Sequence, residues 1–281
     1  MSEVINNNLN QQVYSIHNSD QLLNQVERVI CVLLPRGLLI AGFSDNGGLL
    51  LVRHSDYKSD LPVWILDFYE HQFLNEPILA DTNKVTSVFI ASDKSYIVPD
   101  VLYNEETASE WMKKIHFIEI NESITAYPLR DDKAVLLYAW PSAIESLVNR
   151  YFGKAKFLPL AAYQLQKPKV NNATVTCCIT ADAVFATLYD NKTLYWHQYF
   201  HYKTAEDIAY QIKLLCTQNE IDADTLQLNC TVTSRSLGRI VSDLTQYFPE
   251  LKSGIESIHG GENEQNWGGT LYLLQQLYAC A

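Results

Sequence analysis

Residues 29–54, VICVLLPRGLLIAGFSDNGGLLLVRH, carry three apolar runs separated by two pieces of turn chemistry, and their reading decides the fold. The runs are VICVLL (29–34), LLIAGF (38–43) and LLLVRH (49–54). Pro35-Arg36-Gly37 makes a corner between the first two. Ser44-Asp45-Asn46-Gly47-Gly48 stands between the second and third, and Asn and Gly tolerate the positive φ that a tight hairpin requires. The stretch predicts a three-stranded meander. After it, Asp60 is placed to cap a helix, Pro62 fits its first turn, and Leu61, Trp64 and Phe68 fall on one face at helical spacing.

The same order recurs later in the chain. ATVTCCI (173–179), AVFATLY (183–189), the turn Asp190-Asn191-Lys192-Thr193 and LYWHQYFHY (194–202) read as a second meander. Thr204 then opens a helix, with Asp207 three residues on as a capping box. One ungapped offset of 145 residues pairs Asp45 with Asp190, Ala41 with Ala186, Leu49 with Leu194, Tyr57 with Tyr202 and Lys58 with Lys203. The repeated element order supports an internal duplication; a chance match of two apolar meanders is the alternative.

Working outward, residues 1–17 are rich in Asn and Gln and predict a loosely docked terminus, followed by a short helix from Ser19 to about Arg28. VTSVFIA (85–91) and SYIVP (95–99) read as strands, and Asn104 opens a helix near 105–115. Ile124–Leu129 and Ala134–Ala139 form a hairpin around Arg130-Asp131-Asp132. Pro141 begins a helix that ends at Gly153. Residues 164–172 are the clearest linker. LQLNCTV (226–232) is a strand, Ser234 caps a helix stopped by Pro249, and the tail holds a short strand near 251–257, a Gly-rich loop (His259-Gly260-Gly261 and Gly268-Gly269) and a last helix at about 270–279. These readings divide the chain into an extension (1–27), a first subdomain (28–168) and a second (169–281).

Of the 281 residues, 47% are hydrophobic and 19% charged, an ordinary globular composition. The formal net charge of −11 argues against a nucleic-acid footprint, which is usually a basic stripe. No apolar run predicts a membrane-spanning helix and the start does not read as a signal peptide, so the expected location is the cytoplasm. The six cysteines have no zinc-ligand spacing and read as buried thiols.

Two meanders, each followed by a helix and further strands, give the layout of the actin-like ATPase superfamily: an α/β chain with mixed sheets, a duplicated ribonuclease H-like fold and two subdomains. More narrowly, KVTSVFIASDKSYIVPDVLYNEETASEWM (84–112) and KAVLLYAWPSAIESLVNRYF (133–152) resemble an uncharacterised bacterial family, the domain of unknown function 3822, found mainly in Bacteroidetes. The resemblance covers about residues 28–258 and implies fold and bacterial origin without an activity. In active members of the superfamily, the turn between the first two strands of each half holds phosphate or metal through an Asp and a Gly two residues later. Here Pro35 stands where that Asp would be, ahead of Gly37, and removes both a carboxylate and an N–H donor. In the second half, Ile179-Thr180-Ala181-Asp182-Ala183 has neither residue in place. The adenosine-binding Gly-Gly turn is replaced by Thr231–Gly238.

Other chemistry is sparse. His197 and His201 lie in a strand whose period of two puts Thr193, Tyr195, His197, Tyr199 and His201 on one outer face and Leu194, Trp196 and Phe200 on the core side, so no metal site is assigned. Glu262 and Glu264 argue against an anion at the Gly-rich loop, and Asp131-Asp132 belong to a turn. No catalytic residue is assigned and cofactor-binding residues stay unknown. The first expectation is a catalytically inert actin-like scaffold or regulatory protein, with protein partners met through the 17 Tyr, 5 Trp and 10 Phe or through the interdomain cleft. Those aromatics could equally fill a bulky two-domain core. The alternative is a divergent nucleotide-dependent ATPase or kinase using Mg-ATP, with Arg36, Gly37, Asp182, Ser234 or Arg235 lining the cleft. A third reading is a cytoplasmic platform for a membrane assembly, by analogy with actin-like pilus proteins.

Overall fold

The computed structural model describes residues 9–15, 22–57, 61–168, 172–253 and 262–281. Strand β1 (Leu9–Ser15) is followed by the expected meander, β2 (Arg28–Leu34), β3 (Gly37–Phe43) and β4 (Leu49–Tyr57), and then by helix α1 (Leu66–Asn75) and β5 (Val85–Ile90). A small unit follows: β6 (Lys94–Pro99), α2 (Ala108–Ile115), β7 (Glu122–Leu129) and β8 (Ala134–Pro141). Helix α3 (Ser142–Phe152) and β9 (Lys156–Pro159) return to the first sheet. The second half comprises β10 (Thr174–Ile179), β11 (Ala183–Asp190), β12 (Thr193–His201), α4 (Ala205–Gln218), β13 (Gln227–Val232), α5 (Gly238–Leu244) and α6 (Glu262–Cys280).

The strand orders are β1-β4-β3-β2-β5-β9, β12-β11-β10-β13 and β6-β8-β7. In each half three antiparallel strands are joined by a parallel fourth beside the first, so β4-β3-β2-β5 and β12-β11-β10-β13 repeat one topology. Both hairpin turns use left-handed backbone, at Gly47 (φ 80°) in the first and at Asn191 (φ 48°) and Lys192 (φ 63°) in the second. The expected capping box is present in α4: the Asp207 N–H donates to Thr204 Oγ1 at 3.2 Å, and Asp207 Oδ2 accepts from the Thr204 N–H at 3.0 Å.

Each half builds its own core by alternation. Val29, Cys31 and Leu33 face α1 and α3, while Val175, Cys177 and Ile179 face α4 and α5. The other face of the first sheet, with Ile30, Val32, Leu39 and Phe43, is buried as well, in a cluster that includes Cys178 and Phe185 of the second half and Trp267, Leu271, Leu274 and Leu277 of α6. Burial on both faces explains why β2 and β3 read as continuous apolar runs. All six cysteines are free thiols, five of them buried.

Several expectations are corrected. Residues 9–15, read as part of a loose extension, pair antiparallel with β4. Of the helix expected from Ser19 to about Arg28, the described part covers 22–25 and stops short of Arg28, which pairs with Phe43; Ser19 lies outside the described residues. Asp60 is also outside them, and α1 starts only at Leu66. Before that point the Trp64 N–H is committed to Pro35 O at 2.7 Å, with Trp64 in left-handed backbone at φ 58°. Gln164 and Leu165, at the start of the expected linker, are buried. Of the strand near 251–257, the described part is one bridge from Lys252 to Asn229. Gly268-Gly269 belong to α6, not to a loop: a Cβ at Gly269 would stand 2.9 Å from Val232 Cγ2, so the glycine lets the helix press onto β13. His259, Gly260 and Gly261 lie outside the described residues.

Candidate functional site

Three segments meet at one end of the two sheets: the β2–β3 turn, the β10–β11 turn and residues 233–237 after β13. They line a cleft of about 230 Å³ between the halves. Its two turns are held the same way. Tyr57, at the end of β4, donates its hydroxyl to Pro35 O at 2.9 Å, and Tyr202, just after β12, donates to Thr180 O at 2.6 Å. Both donor and acceptor in the second pair are the 145-residue counterparts of those in the first. The repeat therefore extends from strand order to a single side-chain bond.

Across the cleft, Arg36 Nε lies 3.3 Å from Asp182 Oδ2, and an Arg36 Nη1–H donates to Leu61 O. His201 Nδ1 is 3.1 Å from Asp182 O. Ser234 caps the turn over 235–237 through the Ser236 N–H at 3.3 Å and lies 3.3 Å from Gln12 Oε1 of β1, so the first strand also reaches the second half. Trp64, Tyr57, Phe185 and Tyr199 make the aromatic part of the wall. Burial raises the hydroxyl pKa values of Tyr57, Tyr199 and Tyr202, so these phenols stay protonated donors at neutral pH.

Arg36, Gly37, Asp182 and Ser234 are thus brought together as the sequence proposes, whereas Arg235 is exposed and does not line the cleft. The sequence reading missed His54, Asp56, Trp64, Asp93 and Tyr199 in the lining. A period-two reading of β4 could have flagged His54, since apolar Val52 shares its strand face. The outer face assigned to β12 is exposed at Thr193, Tyr195 and His201, as expected, but covered at His197 and Tyr199. His197 Nδ1 lies 2.8 Å from Thr187 Oγ1, and Tyr199 packs edge-on against Phe185 with ring centroids 5.2 Å apart, because the first half covers this face. Among the described residues, no group of three His, Cys, Asp or Glu side chains could hold a metal ion.

Burial holds His54, 2% exposed, at a pKa of about 4. Its Nδ1 is 3.9 Å from Asp56 Oδ2, too far for a hydrogen bond. Burial lowers His197 to about 4 as well. A histidine depressed in the folded state contributes stability above its unfolded pKa and loses it as the pH falls through the folded value. Stability is therefore expected to fall between pH 6.5 and about 4, with His54 alone contributing up to ~3 kcal/mol of the loss. Asp56 and Glu76, whose carboxyl pKa values burial raises, offset part of it. Urea midpoints at pH 7 and pH 4.5 measure the slope, and a His54→Gln protein that kept the full slope would contradict the assignment.

The model of a family described as protein of unknown function (DUF3822) matches residues 11–251. No curated protein matches the sequence. Among solved structures, a Bacteroides thetaiotaomicron protein with an actin-like ATPase fold and unknown function is similar, at 15% identity over 94% of this chain and 100% of that one, with a TM-score of 0.71. A chain of a PilM–PilN type IV pilus biogenesis complex is similar at 12% identity over 91% of this chain and 98% of that one, with a TM-score of 0.58. At these identities the likeness concerns the fold, which is actin-like with mixed α/β sheets.

Proposed function

We propose, for a chain that belongs to the DUF3822 family of proteins of unknown function and has the actin-like ATPase fold, that it works as a non-catalytic scaffold or regulatory protein in the cytoplasm. The observation that carries this reading is the Arg36–Asp182 ion pair. It spans the two turns that hold phosphate and metal in active members of the superfamily, and it occupies the one cation and the one carboxylate those turns offer. Pro35 supplies no N–H to a phosphate. Gly37 is accounted for by strand packing, since a Cβ there would meet Ser55 O at 2.9 Å. The cleft, about 230 Å³, is below the ~300–1,000 Å³ usual for ligand pockets.

Work through protein contacts fits this picture. The fold relative from the PilM–PilN complex was solved as part of a protein assembly. Among the described residues no helix is long and apolar enough to cross a membrane, so attachment to a membrane assembly through a spanning helix finds no support in them.

Isothermal titration with ATP and with ADP in excess Mg²⁺, followed by phosphate release on the same sample, tests the reading. The expected result is no saturable heat at millimolar nucleotide and no phosphate above the rate without protein. Saturable binding would overturn it in favour of a divergent ATPase or kinase.

A further inference from the structure

The three sheets have six edges, and five of these are blunted, covered or polar, as edges that must not pair with another chain ordinarily are. Strand β9 is short and has Lys156 and Pro159, β6 has Lys94 and Pro99, and β7 has Glu122 and Pro128. Strand β13 is bridged by Lys252, and β1 is polar over Asn10, Gln11 and Gln12. Strand β12 is the exception. Its nine residues, TLYWHQYFH, include no Lys, Arg, Asp, Glu, Pro or Gly, and among the described residues β11 is the one strand paired with it. In an antiparallel edge strand every second residue turns its N–H and C=O away from its partner. Strand β12 therefore offers a row of unpaired donors and acceptors.

A groove of about 430 Å³ runs beside that edge. Six consecutive residues of β12, 193–198, line it, although neighbouring side chains in a strand point to opposite faces. A cavity meets both sets only along the backbone edge between them. The facing wall is Tyr96, Ile97 and Pro99 of β6, with the turn at Asp132-Lys133. Pro99 has no N–H to donate, so hydrogen bonding to a chain in the groove falls to β12.

Shape and charge narrow the occupant. A groove with two walls takes a single extended chain, which needs only ~4.8 Å beside the strand it pairs with. A second copy of this protein would bring its β12 with Trp196 packed against α4 on one face and His197 against Tyr138 of the small sheet on the other, far thicker than the groove. As to charge, Asp132 Oδ2 accepts from the Tyr189 hydroxyl at 2.9 Å and its Oδ1 lies 3.5 Å from Lys167 Nζ, so that carboxylate is answered within the protein. Burial keeps His197 neutral at pH 7. Lys133 is exposed and forms no ion pair among the described residues. The groove thus sets one unanswered positive charge beside Tyr96, Ile97 and Tyr195, the complement of an apolar strand that bears a carboxylate.

We propose that this groove docks an extended segment of a partner protein, apolar at alternate positions and carrying an Asp or Glu opposite Lys133, as a fifth strand added to β12. The proposal rests on the scaffold reading, for which it supplies the protein contact. Nucleotide titration tests that reading, and peptide binding tests the groove.

The experiment is selection of random twelve-residue peptides, displayed on phage, against the immobilised full chain, with enriched sequences synthesised and measured by fluorescence anisotropy. The expected result is an alternating apolar pattern with an acidic residue, bound at one site per chain. Amide hydrogen exchange should slow at residues 193–198 when the peptide binds. N-methylation of every second peptide residue should abolish binding in one register and spare it in the other, because strand addition uses alternate amides. Lys133→Glu, at an exposed turn position, should weaken binding about fivefold or more, with circular dichroism confirming the fold. Absence of any enriched peptide, a basic consensus, protection away from 193–198, tolerance of N-methylation in both registers, or unchanged affinity of the folded Lys133→Glu protein would overturn the proposal. None of these results alters the nucleotide titration, so the scaffold reading would stand or fall separately.

Discussion

Trp267→Ala is expected to destabilise the whole molecule by ~3–5 kcal/mol, the usual effect of emptying a large buried aromatic site. Trp267 is 2% exposed and belongs to the cluster that joins Ile30, Phe89 and Phe43 of the first half to Cys178 and Phe185 of the second. The vacated space would lie between two sheets that each have a helix-covered core on their far side, so neither can shift inward without disturbing its own packing. Urea unfolding followed by fluorescence and by circular dichroism should give coincident transitions at a lower midpoint. Two separated transitions in the variant would instead mean that without Trp267 the halves unfold as independent units. Tyr210→Ala, at a position 64% exposed, should stay within about 0.5 kcal/mol of the parent.

The second large effect is expected at Gly37. In the nucleotide-binding alternative, Gly37→Val would remove ligand binding and spare the fold. The geometry predicts the reverse emphasis. Gly37 pairs with Asp56 of β4, and a Cβ would meet Ser55 O at 2.9 Å and Asp56 Cβ at 3.3 Å. The nearer obstacle is backbone, so β3 and β4 must move apart, and the branched side chain adds to the displacement. A loss of ~3 kcal/mol follows, at the upper end of ordinary overpacking. Arg36→Ala, next in sequence, breaks a pair whose carboxylate is 42% exposed, and should cost no more than ~1 kcal/mol. A Gly37→Val protein as stable as the parent would show that the strands do not need the glycine and reopen the case for a phosphate-binding turn.

The legible parts of the fold were those with local causes. Asp45-Asn46-Gly47 and Asp190-Asn191-Lys192 announce hairpins because few residues accept left-handed backbone, and Thr204 with Asp207 announces a helix start because the two side chains cap each other's backbone. The parts decided by distant contacts were not legible. Helix α6 has little amphipathic signal because Trp267, Thr270, Leu273 and Leu274 are buried on several sides at once between the halves. The start of α1 was misplaced because Pro35 O, 29 residues upstream, holds the Trp64 N–H. At the cleft, the turns at Arg36 and Asp182 could be located from the offset between the repeats, yet their ion pair depends on how two sheets dock, which no local pattern encodes. Gln164 read as the start of a linker for the same reason: its amide is fixed by carbonyls of two strands that follow it in the chain.

Helix α6 follows every strand of both sheets in the chain, which gives biosynthesis a particular order. Chains emerge from the ribosome with the N-terminal segments free to fold first. Both sheets can be assembled while residues 262–280 are still inside the exit tunnel, and until then Ile30, Val32, Leu39 and Phe185 have no helix to cover them. The nascent protein thus passes through a stage in which its two halves are formed but sticky, a natural target for a holding chaperone. A ribosome stalled before residue 262 would display an apolar seam, and a chain cut short there would be aggregation-prone although both sheets are present.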